Sequence, residues 1–218
     1  RMRFSSTIME RIRKMAGDDF IIGLAVNMDT ASAVSQTIEQ LHPIAKAFHL
    51  EGGLQCVLVP SGLSAISTTG LALLQTGDEV LIPDNAYGPN KAFAEGELKR
   101  LGVTHQLYDP MDLADLGRRI GPQTKLVWLE APGSVSMEFP DLIAQIRLCR
   151  ERGVRVALDN TWGAGLAFRP FDVLGDGSLG VDLSIHALTK YPSGGGDVLM
   201  GAITTRDEQL HLQIKLCH

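Results

Sequence analysis

From residue 54 onward, short apolar runs alternate with longer stretches in which apolar positions recur every three or four residues. The runs at 56–59, 80–83, 103–107, 125–130, 154–159, 181–186 and 197–204 predict strands. The stretches at 65–74, 91–101, 111–120, 142–152 and 207–216 predict helices. Most of the runs are apolar throughout, which suits strands covered on both faces. The expectation is an α/β fold with a mostly parallel mixed sheet sandwiched between helices. Residues 8–49 carry a more scattered helical pattern, with Ile8, Ile12 and Met15 on one face and Val34, Ile38 and Leu41 on another. The pattern changes at Glu51-Gly52-Gly53, so the chain divides into a helical segment, 1–50, and a large domain, 51–218.

Composition narrows the class. The 218 residues are 44% hydrophobic and 21% charged, values of an ordinary globular chain long enough to bury a sizeable core. A net charge of -5 gives no electrostatic reason to expect nucleic acid or an anionic membrane as partner. Cys56, Cys149 and Cys217 lack the paired spacing of a metal site or a disulfide framework, which fits a reducing cytoplasm. No apolar run approaches the roughly 20 residues of a membrane span. The basic start, with Arg1, Arg3, Arg11, Arg13 and Lys14, has no apolar signal-peptide core.

Candidate chemistry gathers where strands end. Ser61-Gly62-Leu63-Ser64 leads from a strand into a helix, so outward backbone N–H groups and the helix dipole there suit an anion such as a phosphate ester. A plain N-cap by Ser61 or Ser64 is the other reading. Tyr87, in the loop 84–90, could stack on a flat ring or simply pack over its own loop. Asp159 ends a buried run and needs a cation or several hydrogen bonds; an Asx turn would also satisfy it. Lys190 enters a sharp turn before Gly194-Gly195-Gly196, where it could carry a Schiff base or be a solvated loop residue. Together, an anion cradle, an aromatic face, a carboxylate and an amine match the phosphate, ring, ring nitrogen and aldehyde of pyridoxal phosphate. Neither the Walker loop nor the three-glycine dinucleotide pattern occurs, which disfavours a nucleotide binder.

With these residues in place, the sequence resembles the Cys/Met metabolism family of fold-type I pyridoxal-phosphate enzymes, and within it the cystathionine β-lyases. The resemblance rests on Pro60-Ser61-Gly62-Leu63, Ala86-Tyr87-Gly88-Pro89, Glu130-Ala131-Pro132-Gly133-Ser134, Leu158-Asp159-Asn160-Thr161-Trp162 and Ala187-Leu188-Thr189-Lys190-Tyr191. It implies a carbon-sulfur lyase acting on a small sulfur amino acid, cleaving cystathionine to homocysteine, pyruvate and ammonia. It implies that Lys190 holds the cofactor and moves protons at the substrate α-carbon, that Asp159 keeps the ring nitrogen protonated, and that Tyr87 stacks on the ring and assists catalysis by proton transfer. Gly62 and Leu63 N–H groups and the Thr189 hydroxyl would bind the phosphate. No metal is implied, and the assembly would be a homo-oligomer, a tetramer built from dimers.

The sequence departs from the family pattern in three places. No tyrosine precedes Tyr87 to supply the Tyr-x-Arg pair that reaches a neighbouring subunit's phosphate. Ala187 stands where a serine is common. The smaller carboxyl-terminal domain, with its carboxylate-binding arginine, is expected to lie outside this chain, which reads as a truncated large domain. A catalytically silent remnant of the same fold, and a γ-lyase or γ-synthase relative, are the alternative readings.

Overall fold

The computed structural model describes residues 54–164, 166–167, 169–194 and 198–218. The helical pattern read at 8–49 lies outside them, as do Gly195, Gly196 and Asp197. Seven strands form one sheet: β1 (Gln55–Val59), β2 (Glu79–Pro83), β3 (Thr104–Tyr108), β4 (Thr124–Glu130), β5 (Arg155–Asp159), β6 (Leu183–Ala187) and β7 (Gly201–Thr205). Their spatial order is β1-β7-β6-β5-β4-β2-β3. All neighbours are parallel except β7, which runs antiparallel to both β1 and β6. The expected mostly parallel mixed sheet is therefore present.

Helices cover both faces. On one side α1 (Gly62–Leu73) packs with α5 (Glu208–Cys217), burying Ala65, Ile66, Leu210 and Ile214 over Val57, Ala157, Leu183 and Ile203. On the other side α3 (Leu113–Arg119) and α4 (Leu142–Glu151) bury Leu116, Ile146 and Cys149 over Val127, Leu129, Val156 and Leu158. Between β2 and β3 runs α2 (Gly88–Phe93), which continues into a π-helical turn, Ala94–Leu98. Successive residues of a strand face opposite sides, so Trp128 and Ala157 point toward α1 while Leu129 and Leu158 point away. Extending that alternation puts Glu130, Asp159 and Ala187 on the α1 side, at the carboxyl end of the sheet.

Three elements start three or more residues away from the sequence reading, each for a local reason. The helix expected from 65 starts at Gly62, because the Ser61 hydroxyl oxygen accepts the Ser64 N–H (3.0 Å) and the Ser61 carbonyl accepts the Ala65 N–H (3.0 Å). The helix expected from 91 starts at Gly88, with Pro89 in its first turn, where its missing N–H costs nothing. The returning strand expected from 197 starts at Gly201. The preceding Met200 gives its backbone to Thr189 instead of a ladder: its N–H donates to Thr189 Oγ1 (3.1 Å), and its carbonyl accepts the Thr189 N–H (3.2 Å). Among the described residues no helix is long and apolar enough to cross a membrane.

Candidate active site

The carboxyl ends of β1, β2, β4, β5 and β6 open onto one cleft of about 680 Å³. It is lined by residues from every loop singled out in the sequence, among them Gly62, Leu63, Tyr87, Asp159, Thr189 and Lys190. The topology explains the convergence. Parallel strands send their carboxyl ends the same way, so loops distant in sequence meet at one edge.

At one wall stands the first turn of α1. Ser61 caps it through its side chain, which consumes the Ser64 N–H. The N–H groups of Gly62 and Leu63, the first two of the helix, have no acceptor among the described residues and stand at the positive end of the helix dipole. The helix approaches the sheet so closely here that a Cβ on Gly62 would lie 2.6 Å from the Cβ of Ala187. Cap and anion cradle are thus compatible readings: Ser61 does the first, and the free donors suit the second.

Asp159 and Glu130 form the floor. They are register partners at the ends of β5 and β4, and both are buried, at 7% and 3% exposure. Neither belongs to an ion pair among the described residues. Burial raises the pKa of Asp159, partly offset by Thr161, whose N–H donates to Oδ1 (3.0 Å). That bond is the Asx turn foreseen as an alternative, and it coexists with an Asp159 that faces the cleft. Burial, and then the neighbouring Asp159 charge, push Glu130 up to about 7. Two buried acids side by side are relieved either by a retained proton, as their raised pKa values indicate, or by a cation brought against them.

Tyr87 precedes α2 and is 40% exposed, with its N–H donating to Glu130 Oε2 (2.8 Å). Beside it the loop 131–138 closes on itself through Gly133 N–H to Glu138 O (2.9 Å) and Met137 N–H to Gly133 O (3.0 Å). Asn85 Nδ2 donates to Ser136 Oγ (3.2 Å) and Glu138 Oε2 (3.0 Å), and a side chain on Gly133 would run into the Asn85 carboxamide. Val135, almost fully exposed, takes the left-handed φ of 67° at the tip, an unfavourable conformation for a β-branched residue.

Lys190 is exposed at the cleft and follows β6, its N–H donating to Ala187 O (3.1 Å). It has no ion-pair partner among the described residues. Thr189 Oγ1 donates to Met200 O (3.2 Å) and accepts from Met200 N (3.1 Å), so as a phosphate donor it would have to release the Met200 carbonyl. Trp162 and Tyr191 complete the rim, their rings 6.1 Å apart and tilted by 54°. Glu130 and Ser134 entered the sequence reading only as letters of a motif. The available signal was a second acid ending an apolar strand run, as Asp159 does.

Among the described residues no group of three or more His, Cys, Asp or Glu could hold a metal ion. The donor set does fit pyridoxal phosphate: free helix N–H groups for its phosphate, the Asp159 carboxyl for its ring nitrogen and an unpaired amine for its aldehyde.

The chain is similar to known proteins over most of its length. The family model described as "Cys/Met metabolism PLP-dependent enzyme" matches residues 32–218. A cystathionine β-lyase of Bordetella avium is 37% identical over 198 residues, covering 91% of this chain and 46% of that protein. Among solved structures, cystathionine γ-lyase from Lactobacillus plantarum, complexed with L-serine, gives a TM-score of 0.69 at 27% identity, covering 74% of this chain and 41% of that one. An O-acetylhomoserine (thiol)-lyase assigned in Campylobacter jejuni, whose structure carries a pyridoxyl-lysine monophosphate, gives 0.66 at 27% identity over 74% and 38%. The chain spans less than half the length of these relatives.

Proposed function

The chain belongs to the family of Cys/Met metabolism PLP-dependent enzymes, and from that premise we propose that it is the large-domain part of a carbon-sulfur lyase of the cystathionine β-lyase type. The observation that carries the reading is the convergence on one cleft of free α1 N–H groups, two buried acids without a cation, and Lys190. The proposed substrate is a small sulfur amino acid, cystathionine first. The β-lyase choice is supported by Pro132-Gly133-Ser134 and Tyr87-Gly88-Pro89, and by the name of the Bordetella avium relative.

When bound, pyridoxal phosphate supplies a sink for the electron pair left at the substrate α-carbon. The chain's own residues do the rest. The Gly62 and Leu63 N–H groups would hold the phosphate at the positive end of the α1 dipole. Asp159 would hold a proton on the ring nitrogen by opposite-charge attraction, an effect of about 1 to 3 pKa units for closely placed charges. The Tyr87 ring would pack over the heterocycle. Lys190 Nζ would hold the aldehyde and, once free, would take the proton from the substrate α-carbon as a general base. Trp162 and Tyr191 limit water at the mouth.

The proposed assembly is a homo-oligomer. Leu63, Tyr87, Trp162, Tyr191 and Leu199 are exposed around the cleft, an apolar rim suited to a covering partner. The test of the reaction is product analysis with cystathionine. Pyruvate with homocysteine supports β-cleavage, and 2-oxobutyrate with cysteine assigns the chain to the γ-lyases instead.

A further inference from the structure

Glu130 has no part in the reaction proposed above, yet it is among the most deeply buried acids described, at 3% exposure. Its two oxygens serve two different loops. Oε2 accepts the Tyr87 N–H at 2.8 Å, and Oε1 accepts the Ser134 hydroxyl. Both donors belong to residues that line the cleft. Glu130 is the register partner of Asp159 on the adjacent strand.

We propose that Glu130 is a positioning residue: it ties the Tyr87 loop and the 131–138 loop to the end of the sheet, so that the Tyr87 ring is held over the ground beside Asp159. The proposal rests on the pyridoxal-phosphate reading for its purpose, though not for its geometry. Tyr87 has no side-chain hydrogen bond to cap α2. The Tyr87 carbonyl accepts the Asn90 N–H (2.9 Å) within the start of α2, and the Glu130 contact is the hydrogen bond that ties Tyr87 itself to the end of the sheet. Two converging donors need a group with two acceptor oxygens, which a carboxylate supplies without rearrangement. A glutamine keeps the shape: its carbonyl accepts from Tyr87, and its amide donates to Ser134 Oγ once that hydroxyl turns. An alanine abandons both bonds and leaves the Tyr87 N–H without a partner.

The test compares Glu130→Gln and Glu130→Ala by amide exchange at Tyr87 in the unloaded chain and by the circular-dichroism band of bound pyridoxal phosphate. Loss of a buried hydrogen bond predicts exchange at Tyr87 about tenfold or more faster in the alanine variant, while glutamine stays within about twofold of the parent. The dichroic band should collapse in Glu130→Ala and persist in Glu130→Gln. If the alanine variant does not fold, Glu130→Asp, which pulls the carboxyl back by one methylene, is expected to show the same two losses. Unchanged Tyr87 exchange and an unchanged band in either shortened variant, even with a lowered melting temperature, would mean that Glu130 only supports the fold. If the parent chain takes up no pyridoxal phosphate, the functional reading fails, and the exchange data alone decide whether Glu130 tethers Tyr87.

Discussion

Gly62 lies directly against Ala187, with room for no atom between them: a Cβ on the glycine would come within 2.6 Å of the alanine methyl. This contact joins the first turn of α1 to the strand end that delivers Lys190. It fixes the distance between the group proposed to hold the phosphate and the group proposed to hold the aldehyde.

Gly62→Ala should therefore separate the two. Neither backbone can yield easily, so the added methyl is expected to push the helix start off the sheet at a cost of about 1 to 3 kcal/mol. Pyridoxal-phosphate affinity should fall about tenfold or more, since a displacement worth 1.4 kcal/mol already costs that factor. Urea unfolding and cofactor titration read the two effects separately.

Ser61→Ala tests the division of labour at the same helix end. Its side chain satisfies the Ser64 N–H, and losing such a cap costs about 1 kcal/mol. Stability should drop by that amount in urea, with cofactor affinity changed far less than in Gly62→Ala. A larger loss of affinity in Ser61→Ala would assign the phosphate to the serine hydroxyl.

Asp159→Asn keeps the shape of the floor and removes the charge that holds a proton on the ring nitrogen. Turnover of cystathionine should fall by about two orders of magnitude or more, as for a group shifting a pKa by roughly 2 units in the reacting state, while cofactor still binds. Normal turnover in this variant, measured by pyruvate release, contradicts the assigned role.

The buried acids also predict how stability varies with pH. Glu130 is pushed from 4.5 to about 7, first by burial and then by Asp159, so the folded chain holds a proton that the unfolded chain releases across that interval. Its contribution is thus fully favourable below about pH 4.5 and declines as pH rises through 7, a difference of order 3 kcal/mol. Asp159, also raised, acts in the same direction. Subtracting Glu130→Gln from the parent in urea melts at pH 5 and pH 8 isolates the effect: the variant should gain on the parent at the higher pH.

Much of this architecture was legible in the sequence, because strands buried on both faces leave apolar runs that polar turns delimit. The cleft residues were legible for a related reason: Asp159 and Lys190 stand out where an apolar run ends in a charge. Helix starts were less so, since the capping by Ser61 and the first-turn position of Pro89 are settled by backbone hydrogen bonds that periodicity does not record. The insertion of β7 between β1 and β6 was invisible for a different reason, being a long-range pairing. Glu130 was the main omission. Its importance comes from register with Asp159 and from two donors that reach it from separate loops.

The central claim is covalent, and so is its most direct test: reduce the chain with borohydride in the presence of pyridoxal phosphate, then map the label by peptide mass spectrometry. The account predicts a visible absorption band that reduction removes, with the pyridoxyl group on Lys190 and none in Lys190→Ala. A label on Lys91, Lys125 or another lysine while Lys190 stays unmodified, or no band at saturating cofactor, would contradict it.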